Sequence, residues 1–342
     1  MPIFEKIEQC LIAQNPFVAY LKPNELTCNL LVQKDADLKL FSGQSGFVFF
    51  PFDKGDKVVI PFEEADFSQG IIEKKHYNLV SDISSSQTDK VVFEQLVSNG
   101  IEAIKKGEFE KVVLSRKIVL KKQLSVLETF QNLISTYSSA FQYLFFHPKL
   151  GLWMGATPEQ LVKINQQQLE TVALAGTKLY SEEVKWTQKE IIEQKIVTDY
   201  IVSNIDKKVE NIKVSGPNTT KAGNLAHLKS IITGQLPSDN FAMTLIENLH
   251  PTPAVCGVPK NVAQSFIHNH EGYDRKYYTG FLGEYAIAGS TNLFVNLRCI
   301  EIEEKAVTIY VGCGITGDSI PTNEYIETEN KSMTMRNVLV TK

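Results

Sequence analysis

The sequence predicts an α+β fold with a mostly antiparallel β-sheet. Three observations carry that expectation. Strand-like runs give way to helical stretches repeatedly along the chain. Many of the strands are nevertheless joined by tight turns, as antiparallel neighbours are, rather than by crossover helices. With 342 residues, 43% hydrophobic and 22% charged, the chain can also bury a sizeable core, as one large domain or two smaller ones. The same composition excludes several functional classes. A net charge of −4 gives no electrostatic basis for binding nucleic acid. No apolar run is long enough to span a bilayer, and the N-terminus lacks the basic-then-apolar pattern of a secretory signal. Five scattered cysteines without CxxC spacing argue against a disulfide framework or a thiolate metal site. A cytoplasmic protein with neither membrane nor nucleic-acid partners is expected.

Each element follows from local pattern. Phe4 to Ala13 reads as a short amphipathic helix. From about Asn29 to Ile83 come strand-like runs broken by Gly43, Gly46, Pro51, Gly55 and Pro61. The polar stretch Ser81 to Asp89 is the best boundary candidate. Val91 to Lys106 has helical periodicity and stops at Gly107. Lys111 to Lys121 reads as a strand, with Val112, Leu114, Arg116, Ile118 and Leu120 on one face and Lys111, Val113, Ser115 and Lys117 on the other. Leu127 to Thr136 is a helix, and Phe141 to His147 with Gly151 to Gly155 a hairpin. Strands follow near Gln160 to Asn165 and Leu169 to Leu174. Glu182 to Ile205 reads as a long helix with Ile192, Ile196, Val197, Tyr200 and Ile201 on its apolar side. Asn224 to Ile232, bearing His227, and Asp239 to Leu249 read as further helices. Phe281 to Ala288, Asn292 to Ile302 and Ala306 to Val311 read as a three-stranded meander. Last, a strand from Tyr310 breaks at Gly312, Gly314 and Gly317 and becomes a helix carrying Glu324, Glu327 and Lys331 on one face.

The candidate chemistry is thinly spread. Two carboxylates on one helical face suit a hard cation such as magnesium. Glu193, one turn from Glu190 on the long helix, would complete such a site with Glu327. Lys111 opens an apolar strand. A strand lysine ordinarily snorkels to water, but a buried one loses its charge and becomes a base. Glu159 follows the rigid turn Gly155-Ala156-Thr157-Pro158. It is either a turn carboxylate or, if buried, an acid that stays protonated. Arg298 shares a strand face with Phe294 and Asn296, and its fork suits a carboxylate or a structural ion pair. No P-loop, dinucleotide fingerprint or Ser-His-Asp arrangement is present.

Read jointly, eight segments resemble the chorismate-utilising enzymes: isochorismate, salicylate, anthranilate and aminodeoxychorismate synthases. They are Phe109 to Arg116, Gly155 to Glu159, Leu174 to Thr177, Leu249 to Ala254, Arg275 to Gly283, Val295 to Cys299, Tyr310 to Ile315 and Glu324 to Lys331. They stand in family order. The resemblance implies a large antiparallel β core with helices packed outside. It implies a chorismate-binding catalytic domain at 89–340, with 1–88 a β-rich part of the same fold. It also assigns roles: Glu193 and Glu327 holding Mg2+ with Glu324 and Glu190 in support, and Arg298, Tyr278, Gly312 and Gly314 on the enolpyruvyl side. Gly176, Thr177, His227, Ala254 and Lys331 would line the same cleft.

Within that family the nucleophile decides the product. Aminodeoxychorismate synthases carry a lysine where Ala175 stands, and anthranilate synthases typically carry glutamine where Lys111 stands. Here Lys111 would deprotonate water for attack on C2, and Glu159 would protonate the departing C4 hydroxyl. The expected activity is therefore magnesium-dependent isochorismate synthesis, for menaquinone or a siderophore. His250 and Ala254 follow the isochorismate rather than the salicylate pattern; Lys178, where many relatives have arginine, is a neutral departure. The alternatives are a salicylate synthase, which goes on to eliminate pyruvate, and an anthranilate synthase component. No glutaminase segment accompanies the chain, so a monomer without an obligatory protein partner is expected.

Overall fold

The computed structural model describes residues 1–75, 77, 87–205, 209–222, 225–238 and 241–342. Elements are numbered in chain order. Two sheets dominate the described residues, and every pairing within them is antiparallel. The first runs β13 (Gly257–Val258), β6 (Lys111–Leu120), β17 (Val307–Ile315), β16 (Cys299–Ile302), β8 (Gly151–Thr157), β7 (Phe141–His147), β1 (Phe17–Leu21), β2 (Thr27–Gln33), β5 (Ala65–Ile71). The second runs β11 (Glu210–Ala222), β12 (Leu225–Gln235), β10 (Gln168–Leu179), β9 (Gln160–Asn165), β15 (Ser290–Val295), β14 (Phe281–Ile287), β3 (Gly46–Phe50), β4 (Val58–Pro61). The strands before residue 72 are therefore shared between both sheets. The polar stretch 81–86, most of the candidate boundary, lies outside the described residues.

Aromatic side chains hold the sheets face to face. Period-two alternation sends Phe141, Tyr143 and Phe145 of β7 inward, and Leu144 and Phe146 outward. Phe145 meets Phe49 of β3 at a ring distance of 4.5 Å, and Phe141 meets Phe294 of β15 at 4.4 Å. All of β7 is buried because its outer face is covered too, so large apolar side chains stand on both of its faces. α1 (Ile3–Ala13) and α3 (Val126–Thr136) cover the first sheet. α4 (Gln188–Ile205) and α5 (Ala242–Leu249) cover the second. α2 (Gln87–Lys105), α6 (Lys260–His270) and α7 (Pro321–Arg336) surround the β6–β17 end of the first sheet. The α+β antiparallel expectation holds.

Four local expectations need correction. Residues 225–232 form strand β12, not a helix: Leu225, Leu228 and Ile232 have helical spacing, but pairing with β10 on one side and β11 on the other overrides it. The run Asn292 to Ile302 is two strands in different sheets, so there is no three-stranded meander. β15 ends at Val295, Arg298 adopts a left-handed φ of 49°, and β16 begins at Cys299. Asn296 fixes this crossover, donating to Tyr277 O at 2.9 Å and accepting from Tyr143 OH at 2.7 Å. α4 begins at Gln188 rather than Glu182, and its buried face is Glu193, Gln194, Val197, Ile201 and Ile205, leaving Ile192 exposed. Finally, β1, β11 and α6 are elements for which no local signal was assigned.

Candidate active site

A cleft opens where β6, β17, β10, β12, α4 and α7 converge. Its lining brings together Lys111, Glu159, Gly176, Thr177, Glu193, His227, Ala254, Tyr278, Arg298, Gly312, Gly314, Glu327 and Lys331. Two expected residues lie beside it instead. Glu190 and Glu324 line an adjoining depression, which Glu327 and Thr177 also border. Glu190 Oε2 accepts from Thr187 N at 2.8 Å, as the acidic member of a capping box at the start of α4.

Lys111 is buried at the first position of β6, on the face predicted from alternation. Burial lowers its pKa, Glu193 and Glu159 resist that, and Lys331 and Lys189 add to it. Glu159 follows Pro158 at the end of β8 and is 6% exposed. Burial pushes its pKa up to about 7, against the nearby charges of Lys111, Lys331 and Arg298. The two groups are thus shifted in the directions that a neutral amine and a protonated acid require.

Gly314 leaves room for both Lys111 and Glu193. A Cβ there would lie 3.0 Å from Lys111 Cε and 3.5 Å from both Lys111 Nζ and Glu193 Oε1. Opposite, Gly176 at φ 72° makes a bulge in β10, and a Cβ on it would strike Glu190 Cβ at 2.9 Å. The Gly176 carbonyl so placed sits 3.0 Å from His227 Nδ1. A carbonyl only accepts, so the tautomer that makes this bond carries its proton on Nδ1, with Thr177 Oγ1 3.2 Å from the same nitrogen. Burial, with Arg298 and Lys331 nearby, lowers the His227 pKa to about 3. Nε2 is therefore an unprotonated acceptor, buried and without a partner, in the wall of the cleft. Arg298 projects from the crossover, not from a strand face, and donates to Thr334 Oγ1 on α7 at 2.8 Å. Lys331 bridges Glu327 at 2.7 Å and Gly312 O at 3.0 Å. His250 lies outside the lining, where Nε2 is 3.2 Å from Pro51 O and 3.1 Å from Phe52 O.

The carboxylates fit a magnesium ion that takes its remaining ligands from substrate and water. Glu193 Oε1 and Glu324 Oε2 are buried oxygens with no hydrogen-bond donor, a deficit that a hard cation corrects. Among the described residues, no group of three or more acidic, His or Cys side chains is arranged to hold a metal unaided; magnesium commonly needs only one or two carboxylates. Lys189, missed in the sequence, is the competing cation. It lies 3.7 Å from Glu193 Oε1 and 2.5 Å from Glu324 Oε1. Its signal was the i,i+4 spacing with Glu193. Val255, Thr279 and Leu297 also line the cleft; Thr279 and Leu297 fall within the resembling segments without an assigned role, and Val255 lies just beyond one.

Comparison with known proteins identifies the family. A family model described as chorismate binding enzyme matches residues 63–340. Isochorismate synthase DhbC of Bacillus subtilis is 29% identical over 313 residues, 83% of this chain and 78% of that one. The salicylate biosynthesis isochorismate synthase of Pseudomonas aeruginosa is 30% identical over 268 residues; the match spans 75% of this chain but only 56% of the relative. A solved Bacillus anthracis chain described as a 2,3-dihydroxybenzoate-specific isochorismate synthase superposes with a TM-score of 0.84, over 98% of this chain and 99% of that one. At 23% identity that likeness shows the shared fold.

Proposed function

This chain belongs to the chorismate-binding enzyme family, and we propose that within it the protein is an isochorismate synthase. The observation that carries the reading is the opposed tuning of Lys111 and Glu159 in one cleft: burial lowers the lysine pKa and raises the glutamate to about 7. Burial, which disfavours the charged ammonium, is the largest cause of the lysine's shift, and the neighbouring Lys331 and Lys189 add to it.

In this reading Lys111 accepts a proton from water as the oxygen attacks C2 of the chorismate ring. The two ring double bonds each shift by one position. Glu159 donates its proton to the C4 hydroxyl, which leaves as water, so one water enters and one departs. Arg298 and Lys331 hold the substrate's carboxylates, and His227 Nε2 accepts a hydrogen bond from a hydroxyl. Glu193 and Glu327 would hold magnesium, whose charge anchors the ring carboxylate. Ala175 in the lining offers no amine for direct attack.

Product identification tests the proposal. Purified protein with chorismate and magnesium, without ammonia, is expected to yield isochorismate. Salicylate and pyruvate without an added lyase would instead make it a salicylate synthase, and anthranilate formed only on adding ammonia an anthranilate synthase component. Menaquinone or siderophore biosynthesis is the pathway we propose it serves.

A further inference from the structure

Behind the wall that carries Lys111 lies a second buried charge cluster, outside the cleft lining. The outer edge of β6 is paired with β13 only at Lys111 and Val112, and Val113 N adds one bond to Cys256 O at 2.7 Å. Beyond that point no strand among the described residues continues the pairing, and buried backbone groups there need partners. Side chains supply them. Arg275 Nη2 donates to Val113 O at 2.7 Å, and Ser115 N donates to Glu271 Oε1 at 2.7 Å. The two side chains are themselves paired, Arg275 Nε donating to Glu271 Oε2 at 2.8 Å, and they are 2% and 0% exposed.

The same guanidinium reaches two further walls of the cleft. Nη1 donates to Val255 O at 2.8 Å and to Thr279 Oγ1 at 3.3 Å. Val113, Val255 and Thr279 all line the cleft. One arginine thus ties the Lys111 strand, the 254–256 loop and the 278–279 turn to one another, and the planar fork needed for this is unavailable to lysine.

We propose that Glu271 and Arg275 are positioning residues for the base: they stand in for a missing neighbouring strand along β6 and fix Lys111 relative to the opposing cleft walls. This rests on the reading of Lys111 as the base in isochorismate formation. Neither residue touches substrate.

The test is steady-state turnover of chorismate with magnesium by wild type, Glu271→Gln, Arg275→Lys and a control, Glu284→Gln. Glu284 forms a comparable buried contact with Tyr20 OH at 2.6 Å, away from the cleft. For the two cluster variants kcat is expected to fall at least about tenfold, since small misplacements of reacting groups are costly. KM is expected to stay within about threefold and far-UV circular dichroism to be unchanged. The control is expected to lose thermal stability and keep its kcat. Cluster variants that behave like the control, less stable but turning over at the wild-type kcat, overturn the proposal. If Arg275→Lys fails to fold, Glu271→Gln decides by the same criterion. An inactive wild type in this assay refutes the isochorismate reading and the proposal with it, whereas active wild type with undiminished variants refutes the clamp alone.

Discussion

Two groups of buried charges sit a few residues apart along β6, and they are built on opposite terms. Among the described residues, every buried side-chain nitrogen and oxygen of Glu271 and Arg275 themselves has a hydrogen-bond partner. In and beside the cleft, Glu193 Oε1, Glu324 Oε2 and His227 Nε2 are all buried and unsatisfied. Burial without partners is costly, and the cost appears as shifted pKa values: Lys111 and His227 down, Glu159 and Glu193 up. A saturated cluster fixes geometry. An unsaturated one stores capacity to bind a cation, accept a proton and give one away. The contrast locates the chemistry more sharply than burial or charge alone.

Breaking the unsaturated cluster at its centre has the largest expected effect. Lys111→Ala removes the base and should lower kcat by about 10³-fold or more, with circular dichroism unchanged; a near wild-type rate would remove Lys111 from the mechanism. Next comes Glu159→Gln, read through stability. The folded-state pKa of Glu159, about 7, lies above its ordinary value of 4.5. Its protonated form is favoured by folding, so the associated stability is complete below pH 4.5 and is lost as pH rises through 7. The glutamine variant should match wild type near pH 4.5 and exceed it at pH 8 by on the order of 3 kcal/mol in urea unfolding. Parallel curves for the two proteins would show that this carboxyl is not raised. In wild type the same titration predicts that kcat/KM falls as pH rises past 7.

Smaller effects sharpen the contrast. Glu327→Ala should weaken the magnesium dependence of turnover by about 10- to 100-fold, judged against losses seen when groups that support a metal are removed; an unchanged metal titration would take it out of the site. His227→Phe removes the unpaired acceptor and should raise KM for chorismate about 2- to 10-fold, the worth of one hydrogen bond, leaving kcat nearly constant. An unaltered KM would make His227 a wall residue only.

The sequence revealed the parts of this site whose patterns are local. Alternation in β6 put Lys111 and Val113 on one face, and spacings of three and seven put Glu324, Glu327 and Lys331 on one side of α7. Glu159 was marked by the rigid turn before it. What stayed hidden depends on neighbours distant in the chain. His227 was placed on a helix because Leu225, Leu228 and Ile232 have helical spacing; only β10 and β11 on either side make it a strand residue. Arg298 was read within a strand, yet the chain changes sheets there at a left-handed residue. The buried face of α4 is set by the second sheet that it covers, an orientation that turns Glu193 inward and leaves Ile192 exposed. Thr187-x-x-Glu190 is a capping-box pattern legible in the sequence, and Glu190 makes that bond. The family resemblance supplied the grouping of these residues, and the folded chain shows where each one sits.

The central claim is that a neutral Lys111 and a protonated Glu159 pass one water in at C2 as another leaves from C4. Turnover of chorismate in water enriched in oxygen-18, stopped early, tests it directly. Isochorismate carrying one heavy oxygen at the C2 hydroxyl is the predicted result. Unlabelled isochorismate, with the C4 oxygen merely relocated, would contradict it.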